Sequence, residues 1–167
     1  FLSMVITVLV MIYSWNHIPN PGNAKAFFIL MLVLQTGMAG TFIAQDLILF
    51  FVFFEVVLLP MYFMIGVYGG EQRKYASLKF FLYTAFGSAL MIVAILATYF
   101  LSPEISIDGE MRHTFSMIAL SEWGGAGLAK STVILIFGGF FMGFGIKVPM
   151  FPFHTWLPDA HTQAPTQ

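Results

Sequence analysis

The sequence predicts an all-α membrane protein, a polytopic bundle of transmembrane helices in which one helix is broken by prolines. Hydrophobic residues make up 59% of the 167 residues and charged residues only 9%, against roughly half and a quarter in soluble domains. The apolar residues fall in segments of about 20 residues, the length of a helix that crosses the hydrocarbon core. Backbone groups must be paired within the bilayer, and alternating strand patterns are not seen, so these segments are expected to be helices.

Five apolar segments define the expected spans of a single membrane domain. The first opens without a Met and is short for a span, so we interpret the chain as a fragment that begins within a helix. Asp46 is expected to cap the third helix, and Gly139 and Gly143 are expected to let another helix approach the fifth closely. The polar connection after the fourth segment is expected to include a short surface helix. The segments are 1–15 (partial), 26–44, 47–68, 80–101 and 131–153, the last discontinuous near 147–152.

Composition excludes several kinds of site. The chain has no cysteine, so disulfides, thiolate metal sites and iron–sulfur ligation cannot come from it, and we predict no metal site. Its net charge of −1 provides no basic face for nucleic acid. The expected surroundings are therefore the lipid bilayer and other membrane proteins.

The basic residues predict an orientation. Loops 16–25 and 69–77, with the start of the next helix, carry four basic residues, whereas the opposite side carries two among several acidic residues. The excess favours the first side as cytoplasmic or matrix. The four are Lys25, Arg73, Lys74 and Lys79, and the opposite side has Arg112 and Lys130 beside Glu104, Asp108, Glu110 and Glu122.

Glu55 lies in the middle of the third segment, in the sequence FFVFFEVVLLP. A charge near the bilayer centre costs at least about 2.5–3.5 kcal/mol on insertion scales, and such residues are usually paired and functional. The alternative is a protonated glutamate that hydrogen-bonds a neighbouring helix. Pro60 follows and removes the donor to the Val56 carbonyl, which predicts either a place for water beside the carboxylate or a simple packing kink.

Lys147 ends the fifth apolar run and is followed by Pro149 and Pro152. The two prolines are expected to deprive the carbonyls of Gly145 and Val148 of their donors, so the helix is predicted to be discontinuous around the lysine. Broken helices at membrane depth line wet cavities or are buried in protein, and they often mark ion sites. A lysine that snorkels from a helix end is the alternative.

If Glu55 and Lys147 lie close together in the fold, each affects the charge of the other. At a separation of about 5 Å and an effective dielectric of 20 their attraction would be about 3 kcal/mol, and it would halve at about 10 Å. A small helix movement would then decide whether the lysine holds its proton. His154 is a candidate for continuing a proton path, or an interfacial histidine. Lys79 is expected to snorkel, although Tyr83 one turn on also permits a relay.

Three stretches carry a family resemblance. They are DLILFFVFFEVVLLPMYFMIGVYGG (46–70), SLKFFLYTAFGSALMIVAIL (77–96) and KVPMFPFHTWLPDAHTQAPT (147–166). They resemble the antiporter-like subunits of proton-pumping NADH:quinone oxidoreductase, respiratory complex I. HTWLPDA alone is shared with multisubunit Na⁺/H⁺ antiporters, whereas the full FPFHTWLPDAH…APT with FFE…LPM resembles the M-type subunits, called subunit 4 in mitochondria.

The resemblance implies roles for residues already singled out. Glu55 and Lys147 fall on the coupled pair of a proton half-channel, and His154 falls on the family's histidine after that lysine. The fold implied is the first of two inverted five-helix repeats, incomplete here, with the second half of the path beyond this sequence. The membrane implied is the bacterial cytoplasmic (inner) membrane or the mitochondrial inner membrane.

The function expected is proton translocation by a non-redox subunit of NADH:quinone oxidoreductase. No cofactor is expected on this chain, and NADH, FMN, iron–sulfur clusters and quinone are expected in partner subunits. Expected partners include neighbouring antiporter-like subunits. The alternatives are a subunit of a multisubunit cation/proton antiporter and a structural scaffold in which the two charges form a static pair.

Overall fold

The computed structural model describes residues 1–18, 22–107 and 110–167, and it confirms a helical membrane bundle with a broken helix. Pro19 and Pro21 of loop 16–25, and Asp108 of the acidic connection, lie outside the described residues. The elements are α1 (Leu2–Ser14), α2 (Ala24–Ile43), α3 (Leu47–Val56), α4 (Leu58–Tyr68), α5 (Arg73–Leu101), β1 (Ile105–Ile107), β2 (Glu110–Arg112), α6 (Met117–Trp123), α7 (Lys130–Lys147), a 3-10 turn (Phe153–Thr155) and α8 (Trp156–Gln163).

Among the described residues, four helical stretches are long and apolar enough to cross a membrane: α2, α3 with α4, α5 and α7. Large apolar side chains such as Phe42, Phe137 and Phe100 are more than 60% exposed on the outside of the bundle. An exposed apolar surface of this kind is what lipid tails cover in a membrane protein. The bundle is therefore an integral membrane domain.

Helix α5 is the central element. It packs along α7, where a Cβ placed on Gly139 would lie 2.7 Å from the Cβ of Ala94, and one on Gly143 would lie 2.7 Å from that of Met91. The absence of a side chain at these two positions allows the backbones to approach closely, as the spacing of the glycines indicates. The position of α7, and of Lys147 at its end, is fixed by this contact.

One cluster of buried core residues lies between α4, the first turns of α5, and α8. Its members are at most 6% exposed, and the Phe80 and Trp156 rings pack at a centroid distance of 5.2 Å. Helix α8 is thereby attached to α5 rather than to α7, although it follows α7 in the chain. The core residues are Leu58, Ile65, Ala76, Phe80, Trp156 and Ala160.

The long connection between α5 and α7 contains more structure than the sequence interpretation gave it. The short helix α6 is present, and before it β1 and β2 pair antiparallel, with Ile105 opposite Arg112. Backbone hydrogen bonds from Leu47 to Phe115 and from Met117 to Gln45, both 2.9 Å, attach the connection to the turn between α2 and α3.

Candidate functional site

Glu55 lies in the last turn of α3, next to an interruption of the helix. Asp46 begins this helix as its cap, because its Oδ1 accepts hydrogen bonds from the backbone N–H groups of Ile48 and Leu49. The helical pattern is interrupted at Val57, three residues before Pro60. The proline ring and its missing N–H act on the preceding turn, which accounts for the position of the interruption.

Lys147 is the last residue of α7, and its side chain reaches Glu55 across the bundle. Its Nζ donates to the carbonyl oxygen of Phe54 at 2.6 Å and lies 3.5 Å from Oε1 of Glu55. The same Nζ lies 3.4 Å from the centroid of the Phe54 ring. The side chains are 19% and 25% exposed, so both charges are largely removed from the surface. The ammonium therefore has two acceptors and an aromatic face within reach.

Ser88 is the third polar group of the site. It is 5% exposed on α5, and its hydroxyl donates to Oε1 of Glu55 at 2.5 Å. Sequence reasoning missed Ser88, because a serine in a membrane helix usually bonds a carbonyl of its own helix. The one sequence feature that marks Ser88 is that it is a small polar residue in an apolar run, and this feature alone is weak evidence for a functional role.

The chain after Lys147 turns sharply and is held by two hydrogen bonds. The backbone N–H of Met150 donates to the Gly145 carbonyl at 2.7 Å. The expectation that Pro149 leaves this carbonyl without a donor is thus wrong, because the N–H of the next residue reaches it in a wider turn. The buried indole of Trp156 donates to the Ile146 carbonyl at 2.8 Å, on the residue that precedes Lys147.

A second ion pair lies beyond the break. Lys79 Nζ on α5 is 2.6 Å from Oδ2 of Asp159 in the first turn of α8, with side-chain exposures of 20% and 39%. The Tyr83 hydroxyl, suggested above as a relay partner of Lys79, instead accepts a hydrogen bond from the hydroxyl of Thr155. Within the described ranges, no hydrogen bond joins Lys79 to the Glu55–Lys147 pair.

His154 lies in the 3-10 turn between the break and α8. Its ring is 5.7 Å from that of Phe151, and its Nδ1 is buried without a hydrogen-bond partner among the described residues. No hydrogen bond or ion pair among the described residues connects the ring to Lys147. The structure therefore brings Glu55 and Lys147 together and leaves His154 and Lys79 apart from them.

A groove of about 730 Å³ borders Lys147. Its walls are mainly apolar, and its polar lining beside Lys147 comes from α8 and the residues after it, His161, Thr162 and Thr166. A water molecule occupies about 30 Å³ in the liquid, so the space holds many.

Residues 44–167 match the family described as NADH:quinone oxidoreductase/Mrp antiporter, transmembrane. The chain belongs to this family. The matched region includes Glu55, Ser88 and Lys147.

Similar members of the NADH:quinone oxidoreductase/Mrp antiporter family are M-type subunits. NADH-quinone oxidoreductase subunit M of Rhodobacter capsulatus is 46% identical over 86% of this chain and 28% of its own length. NADH-ubiquinone oxidoreductase chain 4 of Prototheca wickerhamii is 40% identical over 99% of this chain and 29% of its own. The chain thus spans less than a third of these relatives, and the resemblance to the M-type subunits is confirmed over that part.

Solved structures of respiratory complexes share the fold. A chain of respiratory complex I from Thermus thermophilus with bound NADH is 35% identical with a TM-score of 0.70, covering 84% of this chain and 28% of that one. A chain of an archaeal membrane-bound sulfane sulfur reductase reaches a TM-score of 0.82 at 21% identity, over 98% and 31%. The second likeness shows the fold alone.

Proposed function

We propose that this chain is part of a proton-translocating, non-redox membrane subunit of NADH:quinone oxidoreductase. The observation that carries the proposal is the Glu55–Lys147 pair, in which Nζ and Oε1 are 3.5 Å apart, each charge lies beside a helix interruption, and a groove borders the lysine. Paired charges inside membrane helices are expensive and are typical of ion paths. The M-type relatives support the assignment to this enzyme complex.

In this proposal the separation of the pair controls the proton on Lys147. Close to the carboxylate the ammonium is stabilised, and an increase from about 5 to about 10 Å removes roughly half of the attraction. The lysine then passes a proton from Nζ to water in the groove and becomes neutral until another proton arrives. His154 is proposed to continue the path through intervening water, because no hydrogen bond among the described residues joins it to Lys147 and an imidazole can both accept and donate a proton.

The energy for this movement is proposed to come from quinone reduction in partner subunits. NADH, FMN, iron–sulfur clusters and quinone belong to those subunits, and neighbouring antiporter-like subunits are the direct partners in the membrane. Loops 16–25 and 69–77 are assigned to the cytoplasmic or matrix side of a bacterial cytoplasmic or mitochondrial inner membrane.

A cation/proton antiporter subunit is the second candidate, because the matching family also includes Mrp antiporters. The same pair would then work on an ion gradient without a redox partner. Isolation of the full-length protein from its membrane distinguishes the two. Co-isolation with flavin and iron–sulfur subunits supports the first proposal, and their absence from an intact complex supports the antiporter.

The role of the pair is tested with Glu55→Gln, which keeps the size of the side chain and removes its charge. NADH-driven proton uptake into vesicles is expected to fall about tenfold or more, in the range that a positioned proton-transfer group contributes, while the complex still assembles. Normal translocation in this variant would favour a static scaffold.

A further inference from the structure

We propose that Ser88 is a positioning residue that holds the Glu55 carboxylate in place when Lys147 moves away from it. This inference rests on the proposed function and adds a third helix to the site. The Ser88 hydroxyl on α5 and the Lys147 ammonium on α7 donate to the same oxygen, Oε1 of Glu55, at 2.5 and 3.5 Å. The carboxylate is thus held between two helices that pack against each other.

Lys147 has a second acceptor besides the Glu55 carboxylate. Its Nζ is already closer to the Phe54 carbonyl oxygen, at 2.6 Å, than to the carboxylate, at 3.5 Å. The lysine therefore keeps an acceptor if the ion pair opens. For Glu55 the partner that remains is Ser88, since the hydrogen bonds to its side chain among the described residues come from Ser88 and Lys147.

A carboxylate in a poorly solvated site is costly without a donor. Hydrogen bonds to ionised groups are also stronger than those between neutral groups. When the lysine moves, the serine hydroxyl therefore keeps Glu55 ionised and fixed, so that the lysine moves relative to a stationary partner. Without the hydroxyl, the carboxylate would follow the lysine or take up a proton, and either event would weaken the switch.

Ser88 differs in this respect from the other buried hydroxyls of α5. The hydroxyl of Ser77 donates to the carbonyl of Lys74, and that of Thr84 donates to the carbonyl of Phe80, both within their own helix. Only the Ser88 hydroxyl, of these three, reaches a side chain on another helix. Ser77, which is 2% exposed, therefore provides a matched control for the same substitution.

The test compares Ser88→Ala with Ser77→Ala in the full-length protein within its membrane complex. NADH-driven proton translocation is measured from pH 5.5 to 8.5. Ser88→Ala is expected to move the acidic limb of the profile to higher pH, because the ionised carboxylate loses a donor. Ser77→Ala is expected to leave the profile in place. Ser88→Cys supplies only a weak S–H donor and is expected to shift it in the same direction, which provides a second variant if alanine prevents assembly.

Infrared difference spectra give a readout that is independent of transport. The carboxyl band that disappears in Glu55→Gln is expected to move in Ser88→Ala and to stay in Ser77→Ala. An unchanged band and profile in Ser88→Ala, or equal shifts in both variants, would overturn the role of Ser88. Failure of the proposed function has a different signature, namely normal translocation in Glu55→Gln.

Discussion

Two ion pairs lie on opposite sides of the break that follows α7, and they differ in the distance between their charged atoms. Before the break, Lys147 Nζ is 3.5 Å from Glu55 and closer to a backbone carbonyl oxygen. After it, Lys79 Nζ lies 2.6 Å from Asp159. In the first pair, Glu55 also accepts a hydrogen bond from Ser88 and Lys147 also donates one to Phe54. The second pair joins α5 directly to α8.

The difference favours the Lys147 side chain as a group that can change partners and helix α8 as an anchored element. Helix α8 is further attached to the turn before α5, because Gln163 accepts hydrogen bonds from the backbone N–H groups of Gly70 and Gln72 at 2.8 and 2.9 Å. A pair with alternative partners can open at low cost, while a multiply anchored helix holds its position. The first arrangement suits a switch and the second an anchor.

The largest expected effect on structure comes from the surface that seats α7 against α5. In Gly139→Ala the new Cβ would lie 2.7 Å from the Cβ of Ala94 and 3.1 Å from the Leu90 carbonyl oxygen, so the helices must separate. We expect a destabilisation of about 2 kcal/mol, measured as a lower temperature of complex dissociation.

The adjacent glycine provides the control for this change. A Cβ on Gly138 would meet no atom of the described residues within 4 Å, so Gly138→Ala is expected to be neutral or to stabilise the helix by up to about 1 kcal/mol. Equal dissociation temperatures for the two variants would show that the α5–α7 contact does not hold Lys147 in place.

A smaller loss of stability is expected when the hydrogen bond between the Trp156 indole and the Ile146 carbonyl, which joins the two sides of the break, is removed. Trp156→Phe retains a ring against Phe80 but leaves the Ile146 carbonyl without its buried donor, which costs about 1–2 kcal/mol. The control is Trp123→Phe, because the Trp123 indole donates to the exposed carbonyl of Ala126 and its loss should cost less than about 0.5 kcal/mol. Thermal unfolding of the purified complex measures both. A larger loss of thermal stability in the Trp123 variant would show that the Trp156–Ile146 hydrogen bond does not stabilise the break.

The two residues of the proposed switch could be singled out from the sequence because each is anomalous in its own segment. Glu55 and Lys147 are charges in apolar runs, and Pro60 and Pro149 indicate interruptions near them. Their contact joins positions 92 apart, and local patterns cannot measure it. The family resemblance implied that Glu55 and Lys147 form a pair, and the structure gives the distance between their charged atoms.

Other features could not be predicted, for identifiable reasons. The Lys79–Asp159 contact depends on α8 turning back onto α5, which no local pattern specifies. Ser88 resembles any serine that bonds its own helix until the neighbouring helix is in place. The hairpin of β1 and β2 is different, because the sequence contains a signal for it: an Asp-Gly pair at 108–109 between short alternating stretches.

In the proposed mechanism, the Glu55–Lys147 pair before the break moves protons and the Lys79–Asp159 pair after it holds helix α8. The most direct test measures the rate of NADH-driven proton translocation for Lys147→Ala and Asp159→Asn, in preparations with equal amounts of assembled complex. We predict that Lys147→Ala lowers this rate by about tenfold or more, because a positioned proton-transfer group is lost, and that Asp159→Asn keeps it within about twofold despite lower thermal stability. A normal rate in Lys147→Ala, or an equal loss in both variants, would contradict the division into a switch and an anchor.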